Sequence, residues 1–302
     1  MKKITLLCWI FLLISCPTIA QQKDQPTDEQ LKAITERGRI LKEYVIATNA
    51  SDQALAKEIP QGEKLPPCVP QKKGEKFQFT CGYLSKKKDK FYVLYEATEE
   101  NSPQKFKVTR YDPPKEDTGY FFTAARALDL AYRDVRRKNF FSALKESGMI
   151  ISPDGKPFPP SPMNYSVYLL PASNEQFWTC ILPYVPSQDL IVLGWDSRYL
   201  ISKDGKKVLE KRYLHKGGYA ISTSGVKPIG EPTIEIGYHT ATIDDIPEDT
   251  DVFHVLTRSV KTPQMIATKK FVYKIETDGT IRYLGTIKEV LGETKNTYKP
   301  II

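Results

Sequence analysis

Three features are scarce in this chain of 302 residues. It has only three histidines, His215, His239 and His254. It has five cysteines, two of them in the first twenty residues. Beyond those first twenty residues no apolar run is long enough to span a bilayer as a helix. A Walker A loop, a Rossmann glycine fingerprint and a G-x-S-x-G elbow are also missing, which removes the common nucleotide and serine-hydrolase signatures. No repeat of fixed period and no low-complexity tract occurs. The expectation from these absences is a protein without cofactor, resident metal or enzymatic activity. Its expected role is binding or structural.

The first twenty residues read as a bacterial export signal. Lys2 and Lys3 precede an apolar run from Ile4 to Ile14, too short for a span and right for a signal core. Two processing sites are open. Thr18-Ile19-Ala20 suits ordinary cleavage after Ala20. Leu13-Ile14-Ser15-Cys16 resembles a lipobox, which would make Cys16 a lipidated N-terminus, with Pro17 an awkward neighbour. The first reading expects a periplasmic or secreted protein, the second a membrane-anchored lipoprotein.

Loss of residues 1–20 removes Lys2, Lys3 and no acid, so the net charge falls from +8 to +6. The remaining lysine and arginine pairs are scattered, which favours solvated surfaces. Anionic envelope polymer or lipid headgroups are the partners this charge would attract; nucleic acid is excluded as a partner on the ground of export. Export also suits a disulfide. Cys68 and Cys81 enclose a short polar stretch and are expected to pair, contributing about 3 kcal/mol by loop closure. Cys180 stands between Trp178 and Leu182 and is expected to be buried and inert.

The chain divides into a signal (1–20), an N-terminal helix and β-meander region (21–114) and an α+β region (115–302). The expected fold class is α+β, with a central helix packed on a larger, mostly antiparallel sheet. Thr27 and Gln30 form a capping-box pattern ahead of a helix over 28–48, and Ser51 is placed to cap a second, shorter one. Residues 61–74 read as a loop. Strands follow over 77–84, 91–97 and 105–111, ended by Pro113-Pro114. Asp117 is placed to cap a helix rich in alanine, which breaks at Asn139 and stops near Gly148. Strand composition then recurs over 164–171, 177–184, 195–202, 208–215, 233–242, 252–258 and 266–276. Asp204-Gly205 and Asp278-Gly279 predict two-residue hairpins, pairing Leu200 with Leu209, Ile201 with Val208, Ile275 with Arg282 and Tyr273 with Leu284. Gly217, Gly218 and Gly225 read as a loose connection.

Three histidines could hold a metal, but their spacing matches no ligand pattern, and His254 is expected on a partly exposed strand. The run from Asp244 to Asp251 lacks the EF-hand register and reads as a solvated acidic turn. One motif stands out: Gly237-Tyr238-His239-Thr240-Ala241 followed by Pro247-Glu248-Asp249-Thr250-Asp251. It resembles the JAB/MPN metalloprotease signature, where a glutamate precedes His-x-His and Ser-x-x-Asp. By that resemblance His239 and Asp251 would be zinc ligands and Glu146 the water-activating carboxylate. Ala241 replaces the second histidine and Glu248 the serine. The resemblance therefore implies a JAB/MPN-like metal-dependent hydrolase or a catalytically inactive relative.

Overall fold

The computed structural model describes residues 25–101, 104–137, 164–184, 190–215, 218–222, 237–241, 243–258 and 261–292. The fold is α+β. It opens with helix α1, Asp28–Glu58, whose N-terminus is closed by a capping box between Thr27 and Gln30. Leu31, Ile34, Leu41 and Val45 point inward at the expected helical spacing. The helix does not stop at 48. Ser51 starts no second helix: its buried hydroxyl donates to the Thr48 carbonyl (2.9 Å), so the polar group is satisfied inside a continuous helix. Pro60 is the effective stop, because it disfavours helical geometry at Ile59.

Strands β1 (Cys68–Lys73), β2 (Lys76–Leu84), β3 (Phe91–Glu99) and β4 (Phe106–Asp117) form an antiparallel meander in that order. Two expectations fail here. The segment read as a loop contains β1, an edge strand that tolerates Pro70 because it pairs only with β2. β4 continues through Pro113-Pro114 to Asp117, past a register shift opposite Val93 and Tyr95 and a cis Asp112–Pro113 bond. Being the other edge, it too can carry residues without an N–H donor. The expected division at residue 115 falls inside this strand. Cys68 lies opposite Cys81 and is disulfide-bonded to it.

Asp117 Oδ1 accepts from the backbone N–H of Gly119 (3.1 Å) and Phe122 (3.0 Å), opening helix α2, Tyr120–Arg137. Ala124, Ala127 and Ala131 are fully buried and let the helix lie close to Val69, Phe91, Phe177 and Ile181. Glu146, Gly148 and the segment 140–145 lie outside the described residues.

The later strands form three sheets rather than one. β5 (Asn164–Pro171), β6 (Phe177–Tyr184), β8 (Ser197–Ile201) and β9 (Val208–Tyr213) make one antiparallel sheet; β7 (Leu190–Gly194) and β10 (Gly218–Ser222) pair separately. So Gly218 begins a strand, whereas Gly217 and Gly225 lie outside the described residues. The third sheet runs β11 (Gly237–Thr240), β12 (Gln264–Ala267), β13 (Phe271–Ile275), β14 (Ile281–Thr286), with β11 parallel to β12. The single strand expected over 266–276 is thus two strands with a turn between them.

Both hairpin registers differ from expectation. Ile201 does face Val208, but a bulge sets Leu200 against Glu210. In the second hairpin Ile275 faces Ile281 and Tyr273 faces Tyr283. The two turns share one torsional feature. Only the glycine takes a positive φ (Gly205 69°, Gly279 87°), while the preceding aspartate does not. A type I′ turn needs both, so neither turn is of that type; in the second hairpin the loop is longer and the register slides, whereas in the first Ile201 keeps its expected partner and the bulge alone displaces Leu200.

The segment 252–258, expected as a strand, is helix α3, Asp249–Thr257. Val252, Val255 and Leu256 are buried at helical spacing against Leu31 and Ile34 of α1 and Ile266, Tyr273 and Ile275 of the third sheet. β-Branched composition pointed to a strand, and tertiary packing overrode it. Gly38 explains how close the two helices come. A Cβ there would sit 2.5 Å from Val252 Cβ, so the glycine's helix penalty is offset by contact. A short helix α4 (Ile287–Leu291) follows β14.

A buried histidine and carboxylate cluster

The three histidines, scattered in sequence, converge where the β8–β9 hairpin meets β11 and α3. Asp196 lies in the turn from β7 to β8, where Gly194 and Trp195 both take positive φ (87° and 54°). Its carbonyl accepts from Leu214 N–H (3.1 Å), which ties the end of β9 to the start of β8 and sets His215 beside the Asp196 carboxylate. His239 is the third residue of β11, held in register opposite Ile266 of β12. Asp251 is in the first turn of α3, and its Oδ2 accepts from the Glu248 N–H (2.8 Å). That bond caps the helix and leaves Oδ1 directed at the two imidazoles.

The geometry is compact. His215 Nδ1 lies 2.7 Å from Asp196 Oδ1, and His215 Nε2 lies 3.1 Å from Asp251 Oδ1. His239 Nε2 lies 3.0 Å from the same Asp251 oxygen, yet without the alignment a hydrogen bond requires, so this buried nitrogen is left without one. One atom from each of His215, His239 and Asp251 thus falls within 4.8 Å of the other two. His239 Nδ1 faces the Gln264 amide nitrogen (3.1 Å), while Arg258 donates to the Gln264 amide oxygen (2.9 Å). Gly237 is required for that arrangement. A Cβ there would lie 2.3 Å from Gln264 Oε1.

Electrostatics follow from burial and partners. Burial alone would lower the His215 pKa, but the carboxylates of Asp196 and Asp251 hold it well above the ordinary histidine value. Burial would raise Asp251, but His239 and His215 hold it well below the usual carboxylate range; Asp196 is lowered against its own burial, chiefly by His215. His254, one helical turn beyond Asp251, goes the other way. Burial pushes it down to about 4, despite nearby Asp196 and Asp251, so it is neutral.

Arginines surround the cluster. Asp249 Oδ2 is paired with Arg198 of β8 and with Arg37 of α1 (3.2 Å). Arg212 of β9 is paired with Glu248 and with Asp244 (2.8 Å). Arg198 also stacks over the Trp178 ring, 4.7 Å from its centroid. Burial pushes the Glu248 carboxyl up to about 8 against the pull of Arg212. The acidic run is therefore no solvated turn: Glu248, Asp249 and Asp251 are all buried and matched by cations from distant elements.

Of the residues singled out in sequence, the structure brings His239 and Asp251 together, and Glu146 lies outside the described residues. Ala241 is buried in the core shared by α1 and α3. Sequence reasoning did not assign His215, Asp196 or Gln264 to a site. Asp196 did carry a signal, an acid set between Trp195 and an apolar strand. His215 carried none, because its neighbours in space are 19 to 36 positions away. Cys180 is buried, and burial pushes its thiol up and keeps it inert. No helix among the described residues is long and apolar enough to cross a membrane. No family model, no curated protein and no solved structure matches this chain.

Proposed function

We propose that this chain is an exported, metal-dependent hydrolase-like protein whose ligands for one zinc-class ion are His215 Nε2, His239 Nε2 and Asp251 Oδ1. The observation that carries the reading is the convergence of those three buried atoms, including a His239 nitrogen with no aligned hydrogen bond. Two imidazoles and a carboxylate are the donor set of a three-ligand catalytic centre, which keeps one position for water or substrate. The separations from Asp251 Oδ1, 3.0 and 3.1 Å, are those of ligands sharing a small cation. Asp196 is then the carboxylate behind a ligating histidine, fixing the tautomer and plane of His215. In the JAB/MPN comparison His215 takes the place of the missing second histidine at Ala241. A bound zinc-class ion would polarise a substrate carbonyl and lower the pKa of water.

Gln264 is the discriminating neighbour. A metal on His239 Nε2 leaves the proton on Nδ1, so Gln264 must turn its oxygen to accept it and release Arg258. Gln264→Glu supplies that acceptor directly and is expected to tighten metal binding about tenfold. His239→Ala or His215→Ala is expected to abolish stoichiometric zinc, read by elemental analysis after dialysis. Zinc that binds both variants as it binds the native chain overturns the reading.

A closed, purely structural centre is the second reading, favoured by burial: the Asp251 side chain is 1% exposed and His239 7%. Cobalt substitution separates the two. An open centre changes its visible spectrum when thiocyanate is added; a closed one does not. Export is supported by the signal-like N-terminus and by a disulfide, which suits an oxidising compartment. Intact mass of the purified protein distinguishes cleavage after Ala20 from lipidation at Cys16.

A further inference from the structure

A second concavity lies away from the histidines, where the end of α1, the disulfide-bonded edge of the meander and α2 meet. It encloses about 720 Å³, in the range of small-molecule sites. Its wall is mixed: Leu84 and Val167 line it as half-buried apolar side chains, backed by the buried Val69, Phe91 and Leu128, beside Thr48, Asp52 and several charged groups. Leu65 and Tyr83, two of the large apolar side chains that remain exposed, line the same concavity.

Its charges are unequally satisfied. On one side Asp129 pairs with both Lys88 and Arg133, so those two cations already share a carboxylate. Lys86 also lines it and is exposed to solvent. Asp52 of α1 is different. It lines the cavity with no basic side chain paired to it among the described residues, and burial alone raises its pKa to about 6. A half-buried carboxylate lining a hollow, with no counter-ion among the described residues, is a complement for a cation.

We propose that this cavity binds an amphipathic ammonium compound, its cationic nitrogen against Asp52 and its apolar body along Leu65, Tyr83, Leu84 and Val167. The polar head would settle the one unmatched acid, and the tail would cover those apolar side chains. An anion of the same shape would meet Asp52 unpaired, and two of the three lining cations, Lys88 and Arg133, already share Asp129; the third, Lys86, is exposed to solvent.

Isothermal titration calorimetry of the mature chain with n-octylammonium and with octanoate tests this. Octylammonium is expected to bind one per chain at pH 7.5, at least tenfold tighter than octanoate. Lowering the pH to 5 should weaken it several-fold as Asp52 is protonated; Lys86, Lys88, Arg133 and Asp129 are the other charged groups lining the site. Asp52→Asn should cut octylammonium affinity about tenfold and erase the preference over octanoate. It removes an unpaired buried charge, so the fold is expected to survive. Val167→Trp, which narrows the hollow with Asp52 intact, should also abolish binding. Equal or tighter binding of octanoate, octylammonium affinity unchanged by Asp52→Asn, or non-saturable uptake would overturn the proposal.

Discussion

The meander core and the histidine cluster bury side chains in opposite ways. Around Phe77, Phe79, Tyr95 and Phe106 the interior is apolar and aromatic, with edge-on ring contacts such as Phe79 to Phe106 at 5.5 Å. Around Asp196 and Asp251 the interior is charged. Trp195 Nε1, Asp196 Oδ2, Ser197 Oγ and Arg198 Nε, in four consecutive residues, are buried without hydrogen bonds, as are Thr250 Oγ1 and His254 Nε2 on α3. Native interiors rarely leave such groups unmet unless water, an ion or a ligand completes them. The apolar region is built for stability, and the charged one holds a concentration of buried donors and acceptors without protein partners.

That contrast can be broken at its strongest points first. Asp249→Ala should cost about 3–5 kcal/mol, because it strands Arg198 in the interior. Phe79→Ala should cost a similar amount through a cavity. Urea denaturation reads both, and a second substitution separates them. Adding Arg198→Met to Asp249→Ala should recover at least about 1 kcal/mol by removing the stranded charge, whereas the same change should not help Phe79→Ala.

The next effect is on pH dependence. His254 is neutral in the fold down to about 4 but protonates at its ordinary value when unfolded. The unfolded chain therefore binds the extra proton, and stability is lost as pH falls from about 6.5 to about 4, by about 3 kcal/mol. His215 contributes no opposing slope there, since its pKa is raised and it is already protonated in that window. Glu248 and Asp52, whose folded pKa values are raised, slope the other way across this window, so the test is a difference: the stability of the native chain minus that of His254→Leu should fall by about 3 kcal/mol from about pH 6.5 to about pH 4, whereas the same difference for Phe79→Ala should stay constant.

The smallest effect is at Asp52, whose folded pKa of about 6 makes its charge a burden at neutral pH. Stability from this group is present when it is protonated and lost as pH rises through about 6. After allowance for partial exposure, Asp52→Asn should gain about 1 kcal/mol at pH 7.5 and nothing near pH 4. A measured loss at pH 7.5 would mean that Asp52 has a structural partner.

Local chemistry was enough to read much of this protein: the Thr27–Gln30 cap of α1, the alanine face of α2, the Cys68–Cys81 pair and the strands from β2 to β6. Each depends on residues a few positions apart, or on a pattern repeated along one element. The second hairpin's register slid because one torsion angle, at Asp278, decides the loop length, while in the first only a bulge beyond Ile201 moved the pairing. Helix α3 was misread because valine and phenylalanine prefer strands until Leu31, Ile34 and the third sheet offer them a helical interface.

The site divides in the same way. His239 and Asp251 were visible as a spaced motif on one strand–helix unit. His215 and Asp196 come from another sheet, and no spacing rule reaches across the chain that separates them. Sequence alone determined which acids and imidazoles exist. Only tertiary structure decided that one carboxylate oxygen would face two histidines, because packing the β8–β9 hairpin against α3 is a long-range event that local propensity does not encode.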